Sequence, residues 1–324
     1  MAKFKKISEK IHQVEINNPK SPRSKILWTN ITNPGKPEIE YLRKKKKYDF
    51  NLSELQASSA KAIAQRPEIR KNKDYFFMII HFPVYRDNEI IAAEIDFFVG
   101  HGFLITLHNN QVRALNDFFN ASKKEEDGLI SYELESSAIL LYEILSKLIG
   151  SCYELLDKNS AEIDDIESMI FSHNQKKAVS RILSLRRNVI NIRKIIQNHK
   201  NILKRLTEMR SSIVASNKLK RYYYELIEHT KRIWEYSETQ KETIDALHDT
   251  NESLLNYSIN NVMKTLTVFS VIVFPLTLFA ALFGMNTTNG MPFTQTENGF
   301  WIIIGLMGIA TLAMLFFFAK KKWL

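Results

Sequence analysis

Asn260, Met263, Leu266, Ser270, Phe274, Thr277 and Ala281 follow one another at steps of three or four, which places all seven on one face of a helix. Copies of such a stripe around an axis would alternate polar rings with apolar constrictions. Asn260, Ser270 and Thr277 would supply the rings, and Met263, Leu266 and Phe274 the constrictions, which close a water path by dewetting. The same small and polar residues also suit packing between neighbouring helices, and the stripe alone does not decide between the two. It ends in the stretch PLTLFAALFGMNTTNGMPF, where an apolar run gives way abruptly to Gly284-Met285-Asn286 and further small polar residues.

Little else has the pattern of a reactive site. The 324 residues contain no P-loop, Gly-rich dinucleotide turn or Ser/His/Asp order, so no enzyme and no bound cofactor is expected. His81 and His108 stand in strand-like runs and read as core or surface histidines rather than ligands. The single cysteine, Cys152, excludes an internal disulfide framework and a cysteine-rich metal site, and fits a reducing compartment. A net charge of +10 suits nucleic acid, anionic lipid or a cytoplasmic membrane face. The run Arg43-Lys44-Lys45-Lys46-Lys47 has no aromatic platform beside it, so it reads as a solvated surface and no nucleic acid is expected as a partner.

The elements that must carry the stripe follow from punctuation and hydropathy. HQVEI, KILWTNI, YFFMIIHFPVY, EIIAAEIDFFVG and GFLITLH are strand-length runs bounded by turn residues. NLSELQASSAKAIAQ has a helix start signal at Asn51 or Ser53. Residues 1–112 therefore read as an α/β domain. Its N-terminus lacks the apolar core of a signal peptide, which predicts a cytoplasmic location. No proline occurs from Val84 to Phe274 and no glycine from Ser151 to Phe283, which predicts very long helices over 113–264. Leu226, Ile233, Leu247 and Leu254 fall on a seven-residue track, interrupted by Gln240 and Asn261, that could lie against copies of itself. A helix from about Lys218 to Phe283 would be roughly 100 Å long, which suggests a stalk entering a membrane.

Residues 265–283 and 300–319 are each close to the roughly 20 apolar residues that cross a bilayer core. Lys264 precedes the first, Lys320, Lys321 and Lys322 follow the second, and the loop 284–299 has no Lys or Arg. The positive-inside rule puts both termini and the basic tail 320–324 in the cytoplasm and the loop outside. Trp301 and Trp323 suit the interfaces. Two helices cannot enclose a water path, so transport requires an oligomer.

Gly284-Met285-Asn286 at the outer end of the first of two C-terminal spans resembles the CorA family of magnesium and cobalt transporters. NNVMKTLT, FPLT, FGMN, MP, a second span and KKKWL follow the family order; upstream, WTNIT, QRPEI and YYYELIEH are also similar. The resemblance implies a homopentameric funnel in the cytoplasmic membrane, with five first spans lining a pore and five Gly-Met-Asn motifs at its mouth. It implies passive transport of Mg²⁺, with Co²⁺ or Ni²⁺ also possible cargo, driven by the membrane potential. Neutral acceptors such as Asn286 can hydrogen-bond a hydrated Mg²⁺ without stripping its water, and Gly284 lets the backbone turn closely. Asp249 matches an acidic position of the family's inner pore. A zinc carrier of the related ZntB type and a membrane-tethered scaffold without transport are the alternatives.

Two departures from the family stand out. Phe293 occupies the place after Met-Pro where an acid is usual, leaving Glu297 as the loop's only acid. The family's acidic helical hairpin turns basic after Glu167. The resemblance also implies regulatory metal binding between subunits, to which Glu225 and the nearby Glu228 would contribute. The opposing acidic places are filled by Ser58, Ser59 and Ser146; in a register shifted by a turn, Glu54, Glu143 or Glu154 would substitute.

Overall fold

In the computed structural model, residues 3–18, 21–45, 48–59, 66–124, 136–172, 174–209, 211–214, 217–285, 290–293 and 296–323 are described. The chain divides into two units, Met1–His248 and Asp249–Leu324.

The first unit is built on a seven-stranded sheet: β1 (Lys3–Lys6), β2 (Ile11–Asn18), β3 (Ser21–Thr32), β4 (Glu68–Lys71), β5 (Tyr75–Arg86), β6 (Glu89–Gly100) and β7 (Phe103–His108). Their spatial order is β1-β2-β3-β7-β6-β5-β4. Every pairing is antiparallel except the central β3·β7 pair, which aligns Leu27 with Phe103 and Thr32 with His108. The nearly continuous apolar runs of β5, β6 and β7 reflect a sheet covered on both faces. Phe76, Met78, Ile80 and Phe82 of β5 enter one core with Ile95, Phe97 and Val99 of β6. Tyr75, Phe77 and Ile79 alternate with them into a second core with Phe98, Phe103 and Leu107. β5 and β6 are joined by Asp87 and Asn88, both with positive φ, a two-residue turn whose twist matches the strands.

The second core is covered by α1 (Lys36–Lys44) and α2 (Leu52–Ala57) through Leu42 and Leu55. In α1, Pro37 stands in the first turn and Glu38 Oε2 accepts from the Gly35 N–H at 2.8 Å. α2 starts at the expected place, with the Asn51 side chain accepting from Ser53 N. The first core is covered by α3 (Arg113–Lys124), α4 (Ser137–Phe171), α5 (Gln175–Glu208) and the start of α6 (Asn217–Phe283). Thus the Pro- and Gly-free stretch does form long helices, but it breaks twice without either residue, around Ser172–Asn174 and between α5 and α6.

The seven-residue track on α6 differs from its expected use. Leu226 and Ile233 lie in the unit's own core, and Gln240 Nε2 donates to Leu156 O at 2.8 Å on α4. That half of the stripe is therefore spent within one chain and is not free to meet a copy. The polar Gln240 fits because a backbone carbonyl is there to receive it.

The second unit comprises α6 from Asp249 onward, the connection 284–298 and α7 (Gly299–Lys320). The two helices contain windows of mean hydropathy 2.4 and 2.5, of which only 6% is buried in each. Core helices of a soluble domain would bury such windows; these present them outward, as membrane spans do. Lys264 Nζ donates to Lys322 O at 2.7 Å, so the end of α7 lies beside α6 at that point. Val268, one turn on, is buried, as is Phe318.

Candidate functional site

The seven stripe residues share one face of α6. Taking 100° per residue, they lie within about 120° of one another, and the centre of that arc is roughly opposite Val268. The side facing the α7 end is thus occupied, and the stripe faces away from it. Met263, Leu266 and Phe274 are 55%, 56% and 71% exposed. Asn260, Thr277 and Ala281 are exposed as well, and Ser270 is half-buried. In water these apolar side chains would be costly to leave open; no described residue of the chain covers the face, which is open to lipid or to a second copy. Leu266, Ser270 and Phe274 also border a groove of about 510 Å³ with Thr267, Val271 and Pro275.

One polar member, Thr277, is prepared to accept rather than donate. Thr277 gives its hydroxyl hydrogen to Val273 O at 2.9 Å, leaving the oxygen lone pairs for water. Pro275, inside the helix, has no N–H, so the Val271 carbonyl lacks its usual helical partner. Sequence reading placed Pro275 in a family segment but missed this freed acceptor; a proline four residues after a residue next to the stripe was the available signal.

At the end of α6, Gly284 N donates to Ala280 O at 2.9 Å and Met285 N to Leu282 O at 3.3 Å. A Cβ on Gly284 would sit 3.0 Å from Ala280 O. Close approach to that carbonyl is what glycine provides here, since only Gly102 and Gly290 among the described glycines have a positive φ. Met285 is 54% exposed. Asn286 lies outside the described residues. Farther along, Phe293 has φ 69°, and its carbonyl accepts from Thr296 Oγ1 at 2.8 Å. Gly299 presses on that carbonyl so closely that a Cβ would lie 1.9 Å from it. Asp249, at the other end of the unit, is exposed.

The proposed regulatory residues belong to the first unit. Glu225 and Glu228 are exposed on α6, and Tyr142 donates its hydroxyl to Glu225 Oε2 at 3.4 Å. Burial and the Glu225 charge push the Tyr142 phenol up to about 12. Ser58 is buried at the end of α2 and donates to Glu54 O, while Ser59 and Ser146 are half-buried. Glu54 is not available as a substitute: it is 1% exposed, and its carboxylate accepts from Tyr75 Oη at 2.7 Å and Asn72 Nδ2 at 3.0 Å. Glu143 is half-buried, which raises its carboxyl, and Glu154 is exposed. Among the described residues no three His, Cys, Asp or Glu side chains come together as a metal site. His81 and His108 are buried, His81 against Glu94 and His108 against Asn30.

One buried acid went unread. Asp96 on β6 is 2% exposed, shares the face of Phe98, and its Oδ1 has no hydrogen-bond partner. The parity of EIDFFVG, which sends Asp96 to the same side as Phe98, was the signal for it.

Residues 23–321 match the family of CorA-like Mg²⁺ transporter proteins. A cobalt/magnesium transport protein CorA of Thermotoga maritima is 25% identical over 320 residues, covering 97% of this chain and 88% of that protein. The complete structure of the CorA magnesium transporter from Methanocaldococcus jannaschii superposes with a TM-score of 0.82 at 20% identity, covering 100% of this chain and 98% of that one. The ZntB cytoplasmic domain from Vibrio parahaemolyticus aligns with a TM-score of 0.54 at 17% identity, over 72% of this chain and 88% of that domain.

Proposed function

Because the chain belongs to the CorA-like Mg²⁺ transporter family, we propose that it conducts Mg²⁺, and with it Co²⁺ or Ni²⁺, passively across the cytoplasmic membrane. The observation that carries this reading is the outward-facing stripe from Asn260 to Ala281, left open by its own chain on the side away from α7. Five copies around an axis would bury it and enclose a path. In that assembly 265–283 lines the pore, 284–299 is the outer loop with Gly284, Met285 and Asn286 at the mouth, 300–319 faces lipid and 320–324 is a cytoplasmic tail. The lysines at 264 and 320–322, against a loop without Lys or Arg, support this orientation.

The chemistry suits a hydrated ion. Mg²⁺ releases water reluctantly, and the stripe offers neutral oxygens, with the ring of Asp249 carboxylates attracting the cation near the inner end. Leu266 and Phe274 form the narrows. No side chain in this path is arranged for bond-making chemistry, and the reading is non-enzymatic. The likeness to a ZntB cytoplasmic domain is one of fold and lends the zinc reading no separate support. Uptake into liposomes of the purified protein tests the proposal. Mg²⁺ influx should follow an inside-negative potential and need no proton gradient. Absence of influx, or Zn²⁺ uptake that requires a proton gradient, would overturn it.

A further inference from the structure

We propose that a cleft in the first unit, remote in sequence from the ion path, binds a small phosphate monoester. The cleft lies where the β5–β6 turn meets α4 and α5, with a volume of about 450 Å³. That is within the usual range for small-molecule sites, roughly 300–1,000 Å³, and more than inorganic phosphate alone would fill. Its lining includes Tyr85, Lys158, Asn159, Arg181 and Ser184, and one carboxylate, Glu162, whose charge is met by Arg181.

The donors there exceed what the protein itself satisfies. Asn159 is 5% exposed, and its Nδ2 has no hydrogen-bond partner. A buried donor left unmade is costly, and a ligand acceptor would remove that cost. Lys158 has no carboxylate partner among the described residues; its ammonium rests 3.4 Å from the centre of the Tyr85 ring. Arg181 is different. Its Nε donates to Glu162 at 2.7 Å, its Nη2 to Asp165 at 3.3 Å and its Nη1 to Met169 Sδ at 3.0 Å. Those contacts consume much of its charge and fix the guanidinium plane, so it offers only the second hydrogen on each Nη.

The uncompensated charge is therefore one ammonium, flanked by the Asn159 amide donor, the Ser184 hydroxyl and a fixed guanidinium, while Ser180 gives its hydroxyl hydrogen to Lys177 O at 3.2 Å. These donors come from two helices, Lys158 and Asn159 from α4 and Arg181 and Ser184 from α5. A carboxylate offers two coplanar oxygens, whereas a phosphate offers three in a tetrahedral array and up to two charges. The phosphate matches better, and the remaining volume takes its organic part. Bound there, it would link α4 and α5 to the β5–β6 turn, which Asn188 already ties to α5 through Ile90 N at 2.9 Å.

The test uses the full-length protein in detergent with divalent ions chelated, so that no phosphate can be held by metal at the pore. Calorimetric titration with glycerol 3-phosphate should saturate at one site per chain, with a Kd below about 1 mM. Inorganic phosphate should bind more weakly and acetate weaker still. Lys158→Gln should weaken glycerol 3-phosphate binding about tenfold, the loss expected for one charge-assisted contact. Because that variant also loses the Tyr85 contact, Ser184→Ala serves as the second, with a smaller loss of binding and an unchanged melting temperature without ligand. No saturation up to about 10 mM, acetate binding as tightly as the phosphate ester, or unaltered binding in Ser184→Ala would overturn the proposal.

Discussion

Asp96→Asn should make the protein more stable at neutral pH, against the usual trend for core substitutions. Burial pushes the Asp96 carboxyl from an ordinary value of 3.8 up to about 8; the Ser58 hydroxyl opposes the rise and the Glu94 charge adds to it. At pH 7 the folded protein therefore holds a proton at Asp96 that the unfolded chain has released. A raised acid contributes fully below its unfolded value and loses ground as pH climbs toward its folded value. About three units separate 3.8 from pH 7, and at 1.36 kcal/mol per unit the loss is about 4 kcal/mol. Water penetration and local relaxation lower this, so about 2–4 kcal/mol is expected. Asparagine carries no charge to desolvate, keeps the shape and can still meet Ser58. For a domain of this size each kcal/mol moves the midpoint by about 2–4 °C, so Asp96→Asn should melt about 5–15 °C higher at pH 7. Near-UV circular dichroism of both proteins in detergent, at pH 5, 7 and 8.5 and one scan rate, measures it. The gap should widen from pH 5 to 8 and then level off. An asparagine variant that melts at or below the parent at pH 7, or a gap independent of pH, would refute the reasoning.

Further outcomes follow for the ion path and its surroundings. Asn286→Ala should abolish Mg²⁺ uptake into liposomes while the oligomer still elutes intact on a sizing column; normal uptake would remove Asn286 from the mouth. Leu266→Asn, by wetting the narrows, should raise basal Mg²⁺ flux severalfold, and unchanged flux would mean that Leu266 does not gate. Gly299→Ala must displace the Phe293 carbonyl, since the new Cβ would lie 1.9 Å from it. It should cost about 1–3 kcal/mol, read as a lower melting temperature, and an unshifted melt would show that the loop yields freely. With serines at 58, 59 and 146 and Glu54 already engaged by Tyr75 and Asn72, Mg²⁺ should alter the protease resistance of the first unit little. Strong protection by millimolar Mg²⁺ that Glu225→Ala abolishes would show that a regulatory site survives.

What could be read from the sequence depended on whether the local signal was also the structural cause. β5, β6 and β7 are buried on both faces, so their apolar runs announce them. β1 and β4 are edge strands, KFKK and EIRK, with exposed or half-exposed residues; an edge strand needs no apolar pattern, and neither was expected. α1 was hidden because Asn-Pro-Gly-Lys-Pro reads as turn, although Pro37 and Glu38 are also what starts the helix. The seven-residue track on α6 was visible, but period alone does not say whether the partner is another copy or the chain's own core. Leu226 and Ile233 turned out to serve the core. The two long apolar helices and the shared face of the stripe were legible because hydropathy and helical period constrain them directly. The consequence of Pro275 was not, since a missing N–H shows only when the helix around it is in place.

The central parallel pair has a bearing on how the chain is made. β2 with β3 and β5 with β6 are neighbours in sequence and can pair as they emerge. β3 must wait for β7, about 75 residues later, before the sheet closes. At synthesis rates of about 5–20 residues per second, the strands are all present long before Leu266 is added. The helical cover is another matter. Tyr223, Leu226 and Ile233 of α6 complete the first core, and only some 30 residues separate Ile233 from Leu266, a few seconds of translation. The soluble part is thus finished at nearly the moment its own last helix must begin entering the bilayer. Substitutions at Tyr223 or Leu226 therefore fall first on biogenesis, as fewer inserted copies, before any effect on ion flux.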